Sequence, residues 1–76
     1  MKTEQYQDLM RLLLIAVGDL NKIEKRISAI HNIIIDDKAS PEDLQRQSSQ
    51  AQATIGRLKN ETFDDYKHIN NKLNGE

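Results

Sequence analysis

The sequence predicts an all-α fold: an antiparallel helical hairpin of two long helices that assembles into a four-helix bundle as a homodimer. Three observations carry this prediction. Apolar residues recur at intervals of three and four, the single proline marks the start of a second helix, and only a short stretch separates the two periodic segments. A short connection makes two helices antiparallel neighbours. We therefore predict one domain, residues 1–76, with helices over 4–35 and 41–73 and a turn over 36–40.

The first predicted helix carries a heptad repeat along its whole length. The spacings alternate between three and four through Tyr6, Leu9, Leu13, Ala16, Leu20, Ile23, Ile27, Ile30 and Ile34. Such residues share one side of a helix and are expected to face a neighbouring helix. The repeat stays in phase through Gly18, which predicts a continuous helix. A break at Gly18 is the alternative, since a glycine costs about 1 kcal/mol inside a helix.

The second predicted helix begins at the proline. Ser40 is expected to cap its first turn, with Pro41 at the first helical position. Asp36 and Asp37 are unfavourable at the negative end of a helix dipole, so the first helix is predicted to end near Ile35. The apolar stripe of the second helix is predicted to run through Leu44, Ser48, Ala51, Ile55, Leu58, Thr62, Tyr66, Ile69 and Leu73.

The expected register follows from folding the chain at Lys38. Residue i of the first helix then lies near residue 76 − i of the second, which places Leu13 beside Phe63. An aromatic cluster is expected to close the open end of the hairpin, formed by Tyr6, Phe63 and Tyr66.

The two predicted helices differ in apolar content. Segment 45–54 has no large apolar residue, whereas segment 10–17 is apolar around nearly its whole circumference, which one neighbouring helix cannot bury. Exposing four such side chains would forfeit roughly 6–10 kcal/mol, as much as the whole stability of a small domain. We therefore predict an interface with a second copy or with a helix of another protein, formed by Met10, Leu12, Leu14, Ile15, Val17, Ile23, Ile27 and Ile30.

The composition argues against several functional classes. There is no cysteine, which removes disulfides and thiolate metal sites, and the net charge of −1 is unlike that of nucleic-acid binders or their mimics. Neither a phosphate-binding loop nor a zinc or dinucleotide motif is present, and the acid–histidine pair Asp64 and His68 has no nucleophile beside it. The apolar stretch 9–17 is too short to span a bilayer. We expect a cytoplasmic protein without enzymatic activity, cofactor or metal.

The function expected from these observations is protein–protein interaction through an apolar helical face, as a small adaptor, chaperone-like subunit or inhibitor of another protein. The alternative is a small regulatory bundle that binds RNA or a nucleotide, with candidate phosphate contacts at Lys22, Lys25 and Arg26. The predicted architecture resembles that of small plasmid-encoded hairpins that pair into RNA-binding four-helix bundles. It also resembles that of the helical-hairpin co-chaperones of bacterial type III secretion. No residue motif is shared with either group, so no residue role is carried over.

Overall fold

The structure, a computed structural model, describes residues 1–75. Two helices occupy most of that range, α1 Thr3–Asp36 and α2 Glu42–Leu73, and they lie side by side in antiparallel directions. The predicted all-α hairpin is therefore confirmed. α1 continues without interruption through Gly18, so the alternative of a break at that glycine is wrong.

The turn between the helices corrects one prediction. The backbone N–H of Ala39 donates to Asp37 Oδ1 at 2.9 Å, and that of Ser40 donates to the carbonyl of Asp37 at 3.0 Å. Pro41, not Ser40, occupies the N-cap position of α2, and its side chain makes no capping hydrogen bond. The Ser40 hydroxyl instead donates to the carbonyl of Ile34 at 2.7 Å. It thus satisfies one of the carbonyls that the end of α1 leaves without a helical partner.

The register also differs from the prediction. Folding at Lys38 would place residue 45 opposite His31 and residue 52 opposite Glu24. Instead the ring of His31 contacts Ser48, and the carboxylate of Glu24 contacts Lys59. The chain therefore reverses later than Lys38. As a result Phe63 lies beside Val17 and Gly18, not beside Leu13 as predicted.

The hairpin is a single layer of helices. It measures 56 × 17 × 13 Å, and its smallest dimension is close to the diameter of one helix. The radius of gyration is 17.1 Å, against roughly 11 Å for a compact chain of this length. Among residues 1–75 only Ser48 and Ile55 are buried. Neither helix in this range offers an apolar stretch long enough to cross a bilayer.

Candidate interaction face

Polar side chains join the two helices in the middle of the hairpin. Lys59 Nζ donates to Glu24 Oε1 at 2.6 Å, and both side chains are more than two thirds buried. One turn away, Gln52 Nε2 donates to Ser28 Oγ at 3.2 Å. Gln52 belongs to the polar segment 45–54 of α2, and Lys59 lies one to two turns after it. These contacts between the helices are called the polar seam.

The polar seam continues toward the turn through a histidine. His31 Nδ1 lies 2.6 Å from Ser48 Oγ, and the same hydroxyl lies 3.1 Å from the carbonyl oxygen of Gln45. Within residues 1–75, no buried side-chain nitrogen or oxygen lacks a hydrogen-bond partner. The middle of the hairpin is therefore held by satisfied polar contacts together with the buried Ile55 and the half-buried Ile27.

The polar seam replaces two predicted core positions. A straight helix has 3.6 residues per turn, so positions repeating every seven residues rotate by about 20° per heptad. Ile23 and Ile30 consequently rotate away from α2, while Glu24 and His31, each one position later, rotate into the contact. Ile23 is 44% exposed and Ile30 is 53% exposed. The second helix therefore does not cover these two isoleucines, although they belong to the heptad repeat, and their place in a partner interface stays a prediction.

The displaced isoleucines belong to a stripe along α1. Leu12, Ile23 and Ile30 are separated by eleven and seven residues, close to whole numbers of helical turns. Ile15 and Ile33 follow Leu12 and Ile30 by three residues each and extend the stripe outward. All five side chains are exposed.

Helix α2 extends the same face of the hairpin. Leu58 lies three residues after the buried Ile55 and so flanks the seam on one side, whereas Phe63 flanks it on the other. Phe63 shares a cavity of about 570 Å³ with Val17, which marks its side of the hairpin. Leu58 and Ile23 therefore lie together on the opposite face. This face is called the isoleucine face, and its members are Leu12, Ile15, Ile23, Ile30, Ile33, Leu44 and Leu58.

The other side of the hairpin is more polar. The rings of Phe63 and Tyr66 stack with centroids 6.0 Å apart, and Lys67 Nζ lies 4.9 Å from the centre of the Phe63 ring. Phe63 is still 40% exposed, so it borders an open cavity instead of plugging the end of the hairpin. This surface, which also carries Ile35, is called the cavity face.

The structure separates the eight residues of the predicted interface into three groups. Leu12, Ile15, Ile23 and Ile30 come together on the isoleucine face. Met10, Val17 and Ile27 are half-buried against α2, and Leu14 is exposed toward the cavity face. Sequence reasoning missed Ile33, Leu44 and Leu58. Ile33 could have been found by its spacing of three from Ile30, but the two leucines had been assigned to the core stripe of α2.

The candidate phosphate-binding residues lie on the outer surface of α1. Lys22 and Arg26 border a shallow depression of about 220 Å³ together with Ile23 and Asp19. Lys25 is exposed as well, but it does not line that depression. The structure thus brings two of the three cations together and places a carboxylate beside them, which reduces their attraction for phosphate.

No metal-binding group of three or more carboxylates, histidines or cysteines occurs within residues 1–75. The exposed apolar side chains, and not a cluster of reactive groups, are the most distinctive surface feature of the hairpin. No known protein family, curated protein or solved structure matches this chain.

Proposed function

We propose that this chain is a non-enzymatic protein–protein interaction module that acts through the isoleucine face. Its partner supplies one or more helices. The partner is a second copy, which completes a homodimeric four-helix bundle, or a helix of another protein, for which the chain serves as adaptor, chaperone-like subunit or inhibitor. The observation that carries this proposal is that exposed apolar residues of both helices share one face while the seam between them is polar.

The energetics of the hairpin support a partner. Burying an isoleucine or leucine fully contributes roughly 1.5–3 kcal/mol, and the members of the isoleucine face are each about half exposed or more. The seven side chains together forgo roughly 6–10 kcal/mol that a partner helix would recover. A small domain has a total stability of that order, so the hairpin gains as much from covering this face as from folding alone.

Site-specific crosslinking tests the proposal. A photo-crosslinking amino acid is placed at Ile30 in one variant and at Lys25, an exposed position outside the face, in a control. We expect adducts at position 30, with a second copy of the chain or with a helix of another protein, identified by mass spectrometry, and none at position 25. Equal labelling from both positions, or no adduct from position 30, would contradict the proposal.

The alternative function, binding of RNA or a nucleotide, draws support from the adjacent exposed cations Lys22 and Arg26. The nearby Asp19 and the net charge of −1 favour the interaction module over it. Salt-dependent binding of mixed-sequence RNA that is lost when Lys22, Lys25 and Arg26 are replaced together would favour the alternative.

A further inference from the structure

We propose that the occupant of the isoleucine face is a second copy of this chain, with the two α1 helices antiparallel and a two-fold axis passing between Lys22 and Ile23. This inference rests on the proposed function and names its partner and geometry. Three observations on the monomer support it: its excess surface, the near-symmetric order of apolar residues along α1, and the placement of two unpaired charges.

The exposed area fits one half of a dimer interface. The chain exposes 5854 Å², whereas a compact monomer of 8.8 kDa exposes roughly 4,800 Å². The excess of roughly 1,000 Å² is close to the ~800 Å² that each partner of a stable complex buries. Stacking two single-layer hairpins would also give the two packed layers that domains usually have.

The apolar stripe of α1 reads nearly the same in both directions. A two-fold axis between Lys22 and Ile23 places residue i opposite residue 45 − i of the partner. Leu12 then meets the partner's Ile33, and Ile15 meets the partner's Ile30. Because a two-fold interface is made by the same patch on both subunits, each of these contacts occurs twice.

Helix α2 is compatible with the same axis. Glu24 pairs with Lys59, and Ile23 and Leu58 each lie one residue from that pair, in opposite directions along the antiparallel helices, so their levels differ by only about 3 Å. An axis near Ile23 therefore brings Leu58 close to the partner's Leu58. The centre of the proposed interface then holds Ile23 and Leu58 of each copy, with Lys22 beside Ile23.

Charge complementarity selects the antiparallel arrangement. Asp19 and Arg26 lie on the same outer edge of α1, and neither forms an ion pair within residues 1–75. The same axis places Asp19 opposite the partner's Arg26, which forms two reciprocal ion pairs. Stacking the hairpins with both turns at one end would instead bring Asp19 toward the acidic residues of the partner's α2, such as the partner's Asp65. Opposite charges thus favour the first arrangement and like charges disfavour the second.

Charge reversal tests this geometry. Asp19→Arg and Arg26→Asp are made singly and together, and the dimer dissociation constant is measured by sedimentation equilibrium in a series of urea concentrations. Each single reversal sets like charges face to face twice, and we expect it to weaken dimerisation roughly tenfold to thirtyfold. The double variant restores both pairs with reversed signs and should return to within about threefold of the original constant. Lys25→Glu is the matched control, because it changes the net charge as much as Arg26→Asp does, away from the interface, and should leave the constant unchanged.

A second readout does not depend on charge. The chain has no cysteine, so Ile23→Cys introduces a single thiol next to the proposed axis. We expect a short bismaleimide to crosslink two copies of the Ile23→Cys variant. The control variant Lys25→Cys should not be crosslinked. A dimer with no rescue in the double charge variant and no Ile23→Cys crosslink overturns the geometry.

Failure of this inference can be separated from failure of the proposed function. A chain that stays folded and monomeric at all concentrations overturns the second copy as partner. If its position 30 still crosslinks to a helix of another protein, the interaction module stands. If position 30 crosslinks to nothing, both proposals fail.

Discussion

Replacing Ile30 with glutamine separates the stability of the hairpin from that of its assembly. Ile30 is 53% exposed, so about half of its burial is already realised against the rest of the chain. Ile30→Gln should therefore cost each hairpin about 1 kcal/mol, reduced by the slightly better helix propensity of glutamine. If a second copy covers the other half, the dimer loses about 1 kcal/mol more per chain, or about 2 kcal/mol in all, which is about thirtyfold in the dissociation constant.

The assay is urea unfolding followed by circular dichroism at several protein concentrations, since the unfolding midpoint of a dimer rises with concentration. Ile35→Gln is a matched control, because Ile35 is 51% exposed but borders the cavity face. Both substitutions should lower the free energy of unfolding of the single hairpin by a similar amount. Only Ile30→Gln should reduce the rise of the unfolding midpoint with protein concentration. An equal effect of both substitutions on dimerisation would refute the assignment of the isoleucine face.

Three further substitutions test the hairpin itself by the free energy of unfolding. Gly18→Ala should raise the free energy of unfolding by about 1 kcal/mol, because alanine is the better helix former and the added methyl group meets no atom within 4 Å. A less stable variant would show that the glycine is needed for packing. Ile55→Ala should cost about 2–4 kcal/mol as the only buried apolar side chain in residues 1–75, and a loss below about 1 kcal/mol would place the core elsewhere. Lys59→Met should lower the free energy of unfolding by about 1–3 kcal/mol, because it leaves the carboxylate of Glu24 unpaired in the polar seam. Adding Glu24→Leu should recover most of that loss. If the losses of the two substitutions add instead, the ion pair is not the cause.

The sequence was sufficient to predict the helices and the hairpin because these depend on local patterns. Periodicity identified both helices, and the proline located the second. The contact between the helices was harder to predict. A repeat of threes and fours identifies a stripe of residues on a helix, but it does not show which edge of that stripe faces the neighbouring helix. The stripe rotates by about 20° per heptad, so either Ile23 or Glu24 could face α2. The choice between them depends on the residues of α2 that lie opposite. Lys59 of α2 favours Glu24 at this position, because its ammonium group reaches the Glu24 carboxylate.

The candidate face was predicted in part for a related reason. The excess of apolar residues over the available partner surface was visible in the sequence, and it correctly indicated that some would remain exposed. Five of the eight residues named from the sequence are exposed, whereas Met10, Val17 and Ile27 pack against α2 once the register is set. The register in turn depends on the turn, where the Ser40 hydroxyl bonds to the end of α1 instead of capping α2.

The polar seam also has a consequence for specificity. Alternative registers of the hairpin would separate Glu24 from Lys59 and leave polar groups of the seam without partners. Such unpaired groups cost about 1–3 kcal/mol each, so the seam favours one register even though it contributes little apolar burial. The exposed isoleucines and leucines of the isoleucine face are thereby kept on one side of the hairpin.

The most direct test of the proposed dimer is the solution mass of the chain, measured by sedimentation equilibrium across the micromolar range. We expect a reversible monomer–dimer equilibrium with a limiting mass of twice 8.8 kDa, and a shift toward monomer in Ile30→Gln but not in Ile35→Gln. A cooperatively folded monomer over the whole range, unchanged by either substitution, would contradict it.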